Sequence, residues 1–299
     1  MKLWIYPLLV FIGGCCLGIL STFVKLAYSA GYTLSVVTLS QFIFGIVFLW
    51  IIFLFSPKTK LPFKKIMLMF IAGVPMALTG LFYYQALQTL DASLAIIFLF
   101  QFVWVGSLLE WVLVGKRPSR LKLLSIAILL FGSLLAAGIF THGGTSFTWN
   151  GAFWGFLSSI TFSLFVYLSG TVGVSLPPIQ RSTLFATGSL ILVLFVFPPS
   201  TLLHATLSAD ILFFGFMLGL FGVALPPLLF SIGMPHIGSG LGTILTSAEL
   251  PVAVFMSFIV LGEAVTLVQW VGVTIILAGI LVGNKERTIK HQNEKKAAS

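Results

Sequence analysis

Ten apolar stretches follow one another between residues 3 and 283, each about 20 residues long, the length a helix needs to cross a bilayer. Soluble domains carry charge on roughly 25% of their residues; here only 8% are charged and 59% are hydrophobic. The chain is therefore expected to be an all-α membrane protein with ten transmembrane helices: residues 3–27, 34–55, 66–88, 92–114, 121–140, 151–174, 179–198, 211–234, 239–262 and 265–283. We number these spans 1 to 10. Met1-Lys2 and the long apolar run behind it, with Lys25 inside it, predict an uncleaved first span rather than a signal peptide. Cys15 and Cys16 are adjacent in that run and are expected to be small core residues.

The net charge of +9 would suggest nucleic acid if it lay on one soluble face. Here it follows the connections instead. If the N-terminus is cytoplasmic, Lys2, Lys58, Lys60, Lys64, Lys65, Lys116, Arg117, Arg120, Lys122, Arg181, Lys285, Arg287, Lys290, Lys295 and Lys296 all fall in inner loops or the tail. The outer loops have no Lys or Arg, and Lys25 lies inside span 1. This positive-inside pattern predicts ten spans in the cell membrane with both termini cytoplasmic, and an error of one span would destroy it. It makes the lipid bilayer the partner and excludes nucleic acid. The tail, 285–299, is basic, polar and expected to be disordered.

The halves repeat, 1–141 against 150–284. Gly262-Glu263 follows span 9 as Gly115-Lys116 follows span 4, 147 positions earlier. The same offset sets Leu94 on Leu241, Ile97 on Ile244, Leu130 on Leu277 and Gly132 on Gly279. Five spans per half is odd, so the second half is inverted. Inverted repeats with a site near the midplane are a mark of secondary transporters.

Span 9 carries the residue hardest to place in lipid. Glu249 lies about ten residues in, hence some 15 Å deep in a hydrocarbon layer about 30 Å thick. A charge there needs a cavity, a partner or a proton. Pro251 cannot donate a backbone hydrogen bond, so it frees the carbonyl of Ser247. Either Glu249 binds a cationic group or a proton between the halves, or it is neutral and only packs span 9.

At this point the chain resembles the drug/metabolite transporter superfamily, specifically its EamA-type members with two five-helix repeats. Ser21-Thr22-Phe23-Val24-Lys25-Leu26-Ala27, Glu249-Leu250-Pro251 with Leu261-Gly262-Glu263, and Ala278-Gly279-Ile280-Leu281 carry the resemblance. It implies export of amino-acid-like metabolites or drugs, and a gating or substrate role for Lys25. The chain departs from the family where Cys16-Leu17 replaces a frequent Trp and Gln41 a frequent Arg. It also departs at Gln101-Phe102-Val103, in place of Glu-Pro, and at Lys116, where Glu is common.

Other candidates each have a plain alternative. Gln101 sits in span 4 at the depth of Glu249; with Trp104 and Trp111 it could form an amide and aromatic wall, or only pack. Lys25 could gate, or reach the headgroups. Glu110 is expected to pair with Lys116 or Arg117. Tyr83 and Tyr84 suit a vestibule or an aromatic belt, and Ser158 and Thr161 suit a cavity wall or helix packing. Pro75, Pro226 and Pro227 fall in the matching spans 3 and 8 and, with Pro251, could serve as hinges. Gly14/Gly18, Gly215/Gly219 and Gly238/Gly242 have the spacing for close helix contact, inside the chain by default and in a homodimer as the alternative.

The expected function is a secondary transporter moving a small organic metabolite or drug by alternating access, as an exporter. Uptake and uncoupled facilitation are the alternatives among transporters. A membrane enzyme finds little support: His142, His204, His236 and His291 are scattered, and no hydrolase or zinc motif is present. A channel would want a repeated polar ring. No metal, cofactor or catalytic residue is expected.

Overall fold

The computed structural model describes residues 4–90, 92–138, 147–200 and 209–297, the side chains of 92, 93, 209 and 286–297 excepted. His142, His204 and most of the polar link between the halves lie outside the described residues. Every regular element among the described residues is helical. Nine of the described helical segments are long and apolar enough to cross a membrane. Span 5, Arg120–Ala136, is a tenth apolar helix of 17 residues. The remaining spans are Ile5–Ser29, Leu34–Leu54, Phe63–Leu87, Ala92–Phe100 with Phe102–Val114, Trp149–Thr171 and Pro178–Val196. They continue with Ala209–Leu218 through Gly219–Ala224 to Leu225–Ile237, Ser239–Thr246 with Glu249–Val260, and Leu267–Ala297. The architecture is two inverted five-helix repeats.

The spans end where local chemistry stops or starts a helix. Ser119 caps span 5 by accepting from the Lys122 amide at 3.2 Å, and Thr148 caps span 6 by accepting from the Gly151 amide at 3.2 Å. Pro178 sits in the first turn of span 7, where its missing N–H costs nothing. Gly115 and Gly262, matched by the repeat, both turn the chain with positive φ, 76° and 65°, a conformation that only glycine adopts without strain.

The halves interlock rather than sit side by side. Span 1 packs on spans 8 and 9, span 2 on 7 and 8, span 3 on 6 and 7, and span 5 on span 10. Missing side chains permit the closest approaches. A Cβ at Gly14 would lie 2.7 Å from the Thr246 carbonyl oxygen, and one at Gly18 2.5 Å from that of Glu249. Gly215 and Gly219 meet Phe44 and Gly45 in the same way, and Gly238 and Gly242 meet Glu110 and Met234. All three glycine pairs thus serve contacts within the chain.

Tyr6 stacks on His236 with ring centroids 3.7 Å apart, and Gly283 lies against Ser125 and Ile244. The start of span 1 and the end of the apolar part of span 10 therefore share one face, called here the terminal face. On it, Glu110 pairs with Lys122 at 2.5 Å, not with Lys116 or Arg117 as expected. The left-handed turn at Gly115 carries those two away, and Arg117 lies over Trp111, 5.9 Å from the ring.

Two further expectations are corrected. The described part of the tail is helical, not disordered as expected: span 10 runs on as helix to Ala297, because Lys, Glu, Gln and Ala favour helix and no Gly or Pro follows Gly283 before that point. Arg181 does not join the exposed charges of the inner connections: it lies within span 7, which starts at Pro178, and is 1% exposed.

Candidate functional site

Spans 4 and 9 are each broken at the same level. In span 4 the turn is at Gln101. Its amide donates to Phe98 at 3.3 Å, an i to i+3 bond that leaves the Ile97 carbonyl without its backbone donor. The Gln101 side chain takes that place, with Nε2 donating to the Ile97 carbonyl at 3.0 Å. Its Oε1 accepts from the Trp104 indole at 2.8 Å, and Trp104 stacks on Phe156. The break in span 4 is thus sealed by its own side chains.

In span 9 the break is at Ser247 and Ala248, one of which, Ala248, is the partner of Gln101 in the repeat. Pro251 has no N–H for the Ser247 carbonyl, which takes a long bond of 3.4 Å from the Leu250 amide instead. The second segment begins at Glu249. Among the described residues no donor hydrogen-bonds the Glu249 carboxylate.

Glu249 faces a cavity of about 800 Å³ between the halves. At its deep end are Phe162, Phe165, Pro226 and Glu249; towards its mouth are Lys25, Leu261, Glu263 and Ala264. The mouth is on the face opposite the termini. Tyr28, Phe42, Tyr83 and Tyr84 give it aromatic walls, and Ser21, Thr22, Gln41, Thr79, Ser257 and Gln269 add polar groups. Towards the terminal face the space is filled by a packed cluster that includes Phe100, Phe102, Phe162, Phe165, Phe230 and Met234. Cavities of this size hold small organic molecules.

The structure brings Glu249, Tyr83, Tyr84 and Lys25 to this cavity, as well as Pro226. Lys25 stands at the mouth, 3.3 Å from Glu263, which also accepts from Ser257. Gln101 and Trp104 are not in the lining, because the helix break consumes the amide. Ser158 and Thr161 lie behind the wall. Ser158 donates to the Gly155 carbonyl at 2.6 Å, and Thr161 meets the wall residue Thr79 at 3.1 Å.

Pro75 lies within an unbroken span 3, where Thr79 donates to its carbonyl at 2.7 Å. Pro226 and Pro227 have a stronger local effect. Neither can donate to the turn before it, and span 8 widens there into π-helix over Gly219–Ala224. A Cβ at Gly222 would overlap the Gln41 amide nitrogen, so the widened turn admits Gln41 to the cavity. Its Oε1 accepts from the Tyr84 hydroxyl at 3.2 Å. Gln41 was the discoverable omission among candidates: a buried amide in the middle of an apolar span needs a partner. Tyr28, Thr79, Ser257 and Gln269 gave no such signal.

The model of the EamA-like transporter family matches residues 4–138 and again 149–284. The "Uncharacterized inner membrane transporter YicL" of Salmonella typhimurium is 29% identical over 191 residues. That match spans 61% of this chain and 61% of that protein. A solved crystal structure superposes with a TM-score of 0.75 over 92% of this chain and 98% of its own, at 15% identity, a likeness of fold.

Proposed function

The chain belongs to the EamA-like transporter family, and we propose that it is a secondary transporter that moves a small organic metabolite or drug bearing a cationic group by alternating access. The observation that carries this reading is the break in span 9. It sets the carboxylate of Glu249, without a hydrogen-bond donor, at the deep end of an aromatic-walled cavity of about 800 Å³. An anion facing aromatic rings suits an organic cation, which gains from both the charge and the ring faces. Access from one face and a packed aromatic cluster on the other support a carrier rather than an open channel.

The direction we propose is export across the cytoplasmic membrane, with both termini in the cytoplasm. The concentration of Lys and Arg in the loops of the terminal face supports that orientation, and the cavity then opens to the outside. The sequence has no ATP-binding loop, so a gradient drives the cycle. A proton exchanged for the cation at Glu249 is the proposed coupling.

The test is counterflow in proteoliposomes, which needs no driving force, against amino acids, nucleosides, amines and cationic dyes. Wild type and Glu249→Gln are compared at two pH values. Protonation removes the negative charge, so wild-type exchange of an organic cation should weaken as pH falls, and Glu249→Gln should be slow and flat with pH. Absence of exchange across the whole panel, or an unaltered pH response in the variant, would refute the reading.

A further inference from the structure

Among the described basic side chains, Arg181 alone is buried. It is 1% exposed, whereas loop lysines such as Lys58, Lys60 and Lys116 are exposed, and Lys25 and Lys122 have carboxylate partners. A guanidinium has five N–H donors. Here Nη2 donates to the Ser231 backbone carbonyl, Nε is buried without a partner, and no described carboxylate pairs with the group. The Ser231 hydroxyl beside it is also buried and unpartnered. A serine within a span usually bonds a carbonyl one turn back, as Ser169 does with Phe165 at 2.8 Å; Ser231 does not.

Arg181 is not part of the cavity around Glu249. Leu184 and Phe185, on the next turn of span 7, pack in the same cluster as Phe165 and Phe230. Phe165 lines the deep end of the cavity, and Phe230 precedes Ser231. The guanidinium therefore lies beyond the cavity's deep end, towards the terminal face. Next to it, Gln180 closes that side. Its Oε1 accepts from the Thr59 amide and hydroxyl at 3.0 and 2.9 Å, and its Nε2 donates to the Thr59 carbonyl at 2.8 Å.

A buried cation held by one neutral acceptor is costly. A lysine or arginine that only orients the protein works from an exposed position, as Lys58, Lys60 and Lys116 do, and one that snorkels reaches water. Arg181 does neither. Its free edge and the Ser231 hydroxyl are all donors, a set that fits the oxygens of a carboxylate or phosphate.

We infer that Arg181 and Ser231 form an anion-binding site for a carboxylate or phosphate group, closed in this conformation and opened when spans 7 and 8 part on the terminal face. The opening rests on the alternating-access reading; the chemistry of the site does not. The anion is either the acid group of the transported molecule or a free anion from that side.

The test is thermal unfolding of the purified full-length protein titrated with acetate or inorganic phosphate, with ionic strength held constant by sodium chloride. At least one of the two should raise the melting midpoint saturably, and at lower concentration in Gln180→Ala, where the closing contact with Thr59 is gone. Arg181→Gln should weaken the apparent affinity by about 10- to 100-fold, the worth of a charge-assisted hydrogen bond. Arg181→Lys should recover part of it. Ser231→Ala, the mildest change, should weaken it and covers the case in which Arg181→Gln does not fold.

If neither anion gives a saturable shift in wild type and Gln180→Ala, or Arg181→Gln and Ser231→Ala both respond as wild type does, the site does not exist. Competitive inhibition of counterflow by the same anion assigns the site to the cargo's acid group; stabilisation without inhibition assigns it to a free anion. Failure of counterflow alone would remove the carrier reading and leave the anion titration standing.

Discussion

Spans 4 and 9 occupy the same place in the two repeats and break at the same level, yet they treat the break in opposite ways. In span 4 a glutamine replaces the missing backbone donor at Ile97 and ties down Trp104. Nothing polar is left over for the cavity. In span 9 a proline opens the break and no side chain closes it, so Glu249 starts the second segment facing the cavity. One architecture, used twice, thus yields a strut and a site. Symmetry of backbone predicts where a helix yields; the side chains decide whether a ligand finds anything there.

The sharpest way to break the comparison is to disarm span 9. Glu249→Gln should lower the apparent affinity for an organic cation by about 10- to 100-fold, as expected for loss of a charge-assisted contact, read in counterflow, with folding unaffected. Repairing the break comes next. Pro251→Ala restores a donor for the Ser247 carbonyl; it should raise the melting temperature and slow exchange severalfold, because the straightened helix draws Glu249 out of line.

Disarming span 4 should do the reverse. Gln101→Leu leaves the Ile97 carbonyl and the Trp104 indole without partners, at a cost of about 1–3 kcal/mol. The melting temperature should fall while the cation affinity of the folded fraction stays as it was. Trp104→Phe, which loses the 2.8 Å bond to Gln101 and sets a smaller ring against Phe156, should cost about 1 kcal/mol by the same measurement. Smallest of all is Lys25→Gln at the mouth. Its pair with Glu263 is about half exposed on both sides, so stability should change by less than about 1 kcal/mol.

The contrast also marks how far the sequence could be read. The spans were legible because the bilayer imposes one length on every helix. The repeat was legible because inversion follows from an odd number of spans. Glu249 and Pro251 announced span 9, since an acid and a missing donor at mid-depth have few physical resolutions. Gln101 looked equivalent by depth alone. What separated them was whether the amide turned back to Ile97 or outward, a choice among rotamers that no pattern records. Gln41 could have been found as an amide within an apolar span, whereas Tyr28 and Thr79 escaped because helix rotation is invisible in a chain apolar on all sides. Arg181 was misplaced for a different reason. Charge is so reliable a sign of loops in membrane proteins that one buried cation, four residues after Pro177, passes for the ordinary case.

The most direct test of the contrast is chemical. A hydrophobic carbodiimide applied to the reconstituted protein modifies carboxyl groups reachable from the cavity, and peptide mass analysis assigns each adduct. The account predicts that Glu249 is modified, that a transported organic cation slows its modification, and that Glu110, held by Lys122 on the terminal face, gains no such protection. Gln101→Leu should leave that protection intact, and Pro251→Ala should reduce it. If Glu249 is not modified, or no cation that passes counterflow protects it, the break in span 9 presents no site and the distinction between the two helices is only structural.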